Sequence, residues 1–183
     1  MSSPSAAAAK NSWIDRFSDL VGRAVAWLTL TMVLATLLVV VLRYSFGTGR
    51  IWLQESITWM HASVFMLGAA YALKTEDHVR VDVLYRKMTA RGRAWVDALG
   101  IALFLLPLCV YIFCESLPYV AASFEVREAS REAGGLKGLF LIKAVIPLMA
   151  VLLALQGIAD LWRALSTIRS GVPPVAPAAS GSR

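Results

Sequence analysis

The sequence predicts an all-α membrane protein with four transmembrane helices, interfacial amphipathic helices beside them, and both termini on one side. Three observations carry that expectation. Four runs contain no Asp, Glu, Lys or Arg: Ala24–Leu42 (19 residues), Ser56–Leu73 (18), Ala98–Cys114 (17) and Ala144–Ala159 (16). At a rise of about 1.5 Å per residue, and with a few flanking residues, each run crosses a hydrocarbon core of roughly 30 Å. The composition agrees: 58% of residues are hydrophobic and 16% charged, against roughly 45–50% and about 25% in soluble domains. Finally, basic residues and aromatic rings gather at the ends of the runs, as they do beside membrane surfaces.

Taken in order, residues 1–11 read as a disordered N-terminus rather than a signal peptide, because the first apolar run is too long for an h-region. Trp13, Phe17, Leu20 and Val21 recur at i, i+4, i+7 and i+8, with Asp15, Arg16 and Asp19 elsewhere. That spacing, with Ser12 and Asp15 as a start signal, predicts an interfacial helix over 12–22 leading into the first span. The first span covers 22–42 and ends before a Gly47/Gly49 turn. The second covers 51–73. In the polar segment 74–97, Leu84, Met88 and Trp95 share a face, so part of it is expected along the membrane surface. The third span covers 96–119, with a bend expected near Pro107. A charged stretch, 125–137, ends at Gly134-Gly135, read as a helix stop. The fourth span covers 139–162. The four-span domain therefore occupies 12–168, and 169–183 is a Pro/Ala/Ser/Gly-rich disordered tail.

Lys and Arg fix the expected orientation. Three precede the first span, six lie in 74–97 and three follow the fourth, giving 12; the opposite side holds Arg43, Arg50, Arg127, Arg131, Lys137 and Lys143, giving 6. Both termini are therefore expected in the cytoplasm. The +6 net charge is thus a feature of membrane loops and lipid contact. It does not form the basic, aromatic-lined groove of a nucleic-acid binder.

Few side chains within the spans carry chemistry. Only His61 among ionisable residues lies deep in a span. Glu55, Glu115 and Lys143 lie near span ends, where long side chains reach water. A four-span dihaem cytochrome needs several intramembrane histidines, a proton-coupled antiporter a deep carboxylate, and a tetraspanin-like protein a cysteine-rich domain. Cys109 and Cys114, five residues apart on one helix, face different ways and read as packing residues. No metal cluster, phosphate loop or nucleophile triad is visible, so no catalytic, cofactor or metal site is expected. These observations favour a scaffold or accessory subunit. An independent oligomeric four-span transporter or channel, and a membrane redox subunit, stand as alternatives.

An ordered series of short motifs then becomes specific: Arg43-Tyr44-Ser45-Phe46-Gly47, Trp52-Leu53-Gln54-Glu55, Gly68-Ala69-Ala70-Tyr71-Ala72-Leu73 and Asp77-His78-Val79-Arg80-Val81-Asp82. Over residues 12–168 the chain resembles the small membrane subunit of tripartite ATP-independent periplasmic transporters, the DctQ-like family. Arg131-Glu132-Ala133-Gly134-Gly135 and Ile142-Lys143-Ala144-Val145-Ile146-Pro147 resemble its mannitol or chloroaromatic branch. Gln54 departs from relatives with a second acidic residue there, which weakens a paired-carboxylate reading. The resemblance implies a bacterial inner-membrane complex for sodium-coupled uptake of organic acids. A large multi-span permease subunit would carry substrate and ions, a periplasmic binding protein would deliver substrate, and this chain would be the scaffold. Interface roles are expected for Arg43, Trp52, Glu55, His61, Gly68, Tyr71, His78, Arg80 and Asp82. Among these, Trp52 would anchor the interface, Glu55 would pair with Arg43 or Arg50, Gly68 would admit a close helix, and His78, Arg80 and Asp82 would lock the cytoplasmic loop.

Overall fold

The computed structural model describes residues 13–74 and 88–170. The first element, α1, runs unbroken from Trp13 to Phe46, and α2 from Ile51 to Lys74. The second span thus lies where the apolar run predicts. The separate interfacial helix does not appear, because its described residues form the first turns of α1. No proline separates the two stretches, and a lone glycine costs a helix only about 1 kcal/mol. Within α1 the hydroxyls of Thr29, Thr31 and Thr36 donate to the carbonyls of Val25 (3.0 Å), Trp27 (3.0 Å) and Met32 (2.8 Å). Three polar atoms are thereby satisfied inside an apolar helix.

The third span is a composite rod. Thr89 caps α3 (Ala90–Gly100), its hydroxyl accepting from the Gly92 N–H at 3.2 Å. A π-helical turn follows over Ile101–Leu105, and α4 (Leu106–Glu125) continues it. The expected disturbance at Pro107 therefore lies just before the proline. Pro107 has no N–H to give and crowds the preceding turn. In the wider turn the Leu106 N–H reaches back to the Ile101 carbonyl, and the chain stays helical. Pro118 sits inside α4 and Pro147 inside the last helix, α5 (Leu139–Ser170). That helix extends beyond the expected end at 162 and includes Arg169 and Ser170, which the sequence reading gave to the tail. Met88 and Trp95 are exposed, with Trp95 on α3. Leu84, and with it the expected surface-lying segment, falls outside the described residues, as do 1–12 and 171–183.

The helix after Pro118 stops at Glu125, well before Gly134-Gly135. Arg127 takes a left-handed φ of 44°, and the chain then forms a small hairpin in which Ala129 bridges Lys137. Ser130 N–H donates to the Leu136 carbonyl (2.9 Å) and Leu139 N–H to that of Glu128 (2.9 Å). Gly134, at φ 82°, belongs to the tip of this hairpin. The glycine pair is a turn signal rather than a helix stop.

The helices form a row. Helix α1 lies along α2, α2 along α5, and α5 along the α3–α4 rod; α1 touches α5 only sparsely. Contact surfaces are built from small side chains. Ala94 and Ala98 of α3 meet Ala164 and Ile168 of α5. Gly157 admits Leu105, whose Cδ2 would lie 2.9 Å from an added Cβ. Gly22 lies against the Tyr71 ring, with only 2.5 Å available. At Gly68, the glycine singled out in the sequence, the nearest neighbour of an added Cβ is Val25 Cγ1 at 3.6 Å, an ordinary contact. The close approach between α1 and α2 is therefore made at Gly22. Both short connections, 47–50 and 126–138, lie at one end of the row (the connection end), and the described chain begins and finishes at the other (the terminal end).

Gly22→Ala should push the Tyr71 ring from its place and destabilise the chain by about 1–3 kcal/mol, the usual range for overpacking. Gly68→Ala should be neutral or slightly stabilising. Thermal unfolding in detergent measures both.

Candidate functional site

At the connection end, Glu55 occupies the second turn of α2 and faces the 126–138 hairpin. Its Oε2 accepts the Leu136 N–H at 2.6 Å, and its Oε1 accepts the Ser130 hydroxyl. Ser130 Oγ in turn accepts the Glu132 N–H at 3.1 Å. A side chain at Gly135 would come within 2.4 Å of Ser130 Oγ and 2.7 Å of Glu55 Oε2, so only glycine permits the carboxylate to approach. The expected pairing of Glu55 with Arg43 or Arg50 is not formed. A backbone amide and a hydroxyl held in a hairpin are fixed donors, whereas an exposed ion pair across the turn gains only about 0–1 kcal/mol.

A second carboxylate fastens the same hairpin to α5. Glu128 Oε2 accepts the Lys143 ammonium and the Ser123 hydroxyl (Ser123 at 2.6 Å). The Lys143 ammonium also sits 4.2 Å from the centre of the Tyr119 ring, and Phe124 packs on Phe140 with ring centres 4.4 Å apart. Lys143, expected to reach out to water, is instead turned inward. Its hydrogen bond to Glu128, with the Ser123 hydroxyl, holds the Glu128 carboxyl below the usual glutamate range. The remaining connection-end residues stay on the surface. Trp52 is exposed at the start of α2, and Glu115 is exposed on α4. Arg43, Arg50 and Gln54 line an open hollow of about 320 Å³ between the end of α1 and the start of α2.

Towards the terminal end lies a polar contact that the sequence reading missed. Gln156 of α5 is 0% exposed and accepts the Ser18 hydroxyl of α1 at 3.0 Å. Its amide group lies 3.4 Å from Asp160, which is paired with Arg163. A lone glutamine in an uncharged run gives little signal by composition. The usable clue is spacing, since Gln156, Asp160 and Arg163 fall at i, i+4 and i+7 on one helical face. His61 is exposed on α2 and is not bonded across an interface within the chain. Tyr71 packs on Gly22. Cys109 is buried and Cys114 exposed, both free. His78, Arg80 and Asp82 lie outside the described residues. The structure therefore joins Glu55 to the hairpin and Tyr71 to α1, and leaves Arg43, Trp52 and His61 on the surface. Among the described residues no three His, Cys, Asp or Glu side chains gather at one place. The arrangement fastens helices together.

Residues 32–167 match the family model described as "Tripartite ATP-independent periplasmic transporters, DctQ component". The chain is also similar to the C4-dicarboxylate TRAP transporter small permease protein DctQ of Vibrio cholerae serotype O1 (strain ATCC 39315 / El Tor Inaba N16961). That relative is 30% identical over 97 residues, covering 51% of this chain and 42% of the relative. The match thus spans less than half of the relative's length. No solved structure matches the chain.

Two outcomes follow from the clamps. Glu55→Ala leaves the Leu136 N–H and the Ser130 hydroxyl without their acceptor, at a cost of about 1–3 kcal/mol; amide exchange at Leu136 should quicken, while exchange within α4 stays unchanged. For Glu128 the folded carboxyl titrates below its unfolded value of about 4.3. Its tie therefore contributes fully above that value and is lost as pH falls through the lower folded one. Corrected for intrinsic rates, exchange of the Leu139 amide should rise in acid through that window, and Glu128→Gln should remove the pH dependence.

Proposed function

The chain belongs to the DctQ component family of the tripartite ATP-independent periplasmic transporters, and from that premise we propose that it is the small permease subunit of such a transporter in the bacterial inner membrane. The observation that carries this reading is the family match over residues 32–167. It takes in the C-terminal part of α1 and all of α2 to α4, and ends within α5. The family is a transport component, not an enzyme.

The row of helices supports a scaffolding role. A helix row has two uncovered faces, and α1, whose most apolar window has none of its residues buried, has apolar surface to offer a larger membrane partner. That partner is the large permease subunit, which carries substrate and the coupling sodium ions; a periplasmic binding protein delivers the substrate. The substrate class is an organic acid. The relative named for C4-dicarboxylate transport favours that class, and the sequence of the hairpin and early α5 favours the mannitol or chloroaromatic branch. The basic-residue count places the connection end in the periplasm and both termini in the cytoplasm. His78, Arg80 and Asp82 then lie in a cytoplasmic loop and hold it against the large subunit. With the family in hand, nothing observed favours an independent channel or a redox subunit.

Reconstitution tests the proposal. The chain alone in liposomes should show no sodium-driven uptake of organic acids, and uptake should appear with the large permease subunit and loaded binding protein present. Uptake by the chain alone would overturn the accessory role.

A further inference from the structure

One polar feature takes no part in holding the chain together. Gln54, Thr58, His61 and Phe65 are spaced i, i+4, i+7 and i+11 on α2, and all four are exposed. They form one stripe along the helix. Phe65 is 72% exposed. His61 stands ten residues beyond Ile51, about 15 Å along the helix axis, near the middle of a hydrocarbon core of roughly 30 Å. Thr58 satisfies its own hydroxyl on the Gln54 carbonyl (3.4 Å). The side chains of His61 and Gln54 have no hydrogen-bond partner among the described residues. A neutral imidazole keeps one N–H donor and one bare nitrogen acceptor. Such groups within a bilayer face protein or water rather than lipid.

The stripe also has a charged end. Gln54 lines the hollow at the start of α2 together with Arg43 and Arg50, and neither arginine is ion-paired among the described residues. An occupant of this face must therefore bring a hydrogen-bonding group to His61 at mid-membrane and an acceptor, carboxylate or carbonyl, to the arginines at the membrane surface.

We propose that the Gln54–Thr58–His61–Phe65 face of α2 is the docking surface for a transmembrane helix of the large permease subunit. That helix offers a polar side chain at the depth of His61 and an acidic or carbonyl-rich end to Arg43 and Arg50. This rests on the reading of the chain as a small permease subunit. A second copy is the less fitting occupant. In a side-by-side symmetric pair about this face each rim meets its equivalent, setting arginines against arginines.

The test uses the full chain co-expressed with the large subunit, carrying a photoreactive benzoylphenylalanine placed at Phe65. Irradiation should give an adduct of the combined mass of the two subunits. Independently, His61→Leu should lower the large subunit recovered on the tagged chain about tenfold, the scale of one interhelical hydrogen bond, and His61→Gln should restore most of it. His61 points away from the chain's own core, so folding is not at stake in either variant. Adducts with lipid alone, or with a second copy, would overturn the docking face. Unchanged recovery with His61→Leu would overturn the hydrogen-bonding role even where the adduct forms. If the unaltered chain recovers no large subunit, the small-permease reading itself fails, and the docking face fails with it.

Discussion

Inside a bilayer, apolar helices gain nothing from burying one another, because lipid tails are as apolar as leucine. Association must come from close packing and from polar ties that hydrocarbon cannot satisfy. This constraint explains where the chain makes its contacts. Helices approach at Gly22, Gly157, Ala94, Ala98 and Ala164, where the missing or minimal side chain lets a neighbour in. Polar ties fasten both ends: Glu55 and Glu128 with the hairpin at one, Ser18 with Gln156 at the other. Helix α1 rests mainly on α2 and meets α5 only sparsely, Ser18 being tied there to Gln156.

The same constraint makes a row acceptable. In water, four apolar helices laid side by side would curl into a bundle to hide their outer faces. In lipid the faces need no hiding, and the row persists with broad surfaces free for a partner. Trp27 on α1 and Phe104 before α4 are among the large side chains that stay outside. What lipid cannot accept is an unpaired polar group, so the informative surface is the polar one.

Much of the fold was legible because apolar run length is a direct consequence of membrane thickness. The second span matched to within a residue, and the start of α5 at Leu139 was as expected. What escaped the sequence depends on contacts distant along the chain. Glu55 chose the Leu136 amide, 81 residues away, over a nearby arginine. Nothing local announces that a hairpin will bring a fixed donor to it. Gly134-Gly135 carries the same signal for a helix end and for a hairpin tip, and only the partners at Glu55 and Ser130 decide between them. Gly68 stands inside a small-residue motif, while Gly22 stands alone. Yet the tight contact is at Gly22, because the position of Tyr71 across the interface decides it. The disturbance expected near Pro107 takes the form of a π-helical turn just before it, within the helix.

The clamps and the polar stripe meet on one element. Helix α2 packs between α1 and α5, and its first turns are tied to the hairpin through Glu55. Side chains on its free face are therefore carried by a backbone fixed along both flanks and at one end. Such a face loses little conformational freedom when a partner covers it, and association gains by avoiding that loss. The residues best placed to hold a neighbour are thus those on α2 that the chain itself leaves unused. Glu55 contributes to that surface without touching it, by fixing the direction in which Gln54 and His61 point.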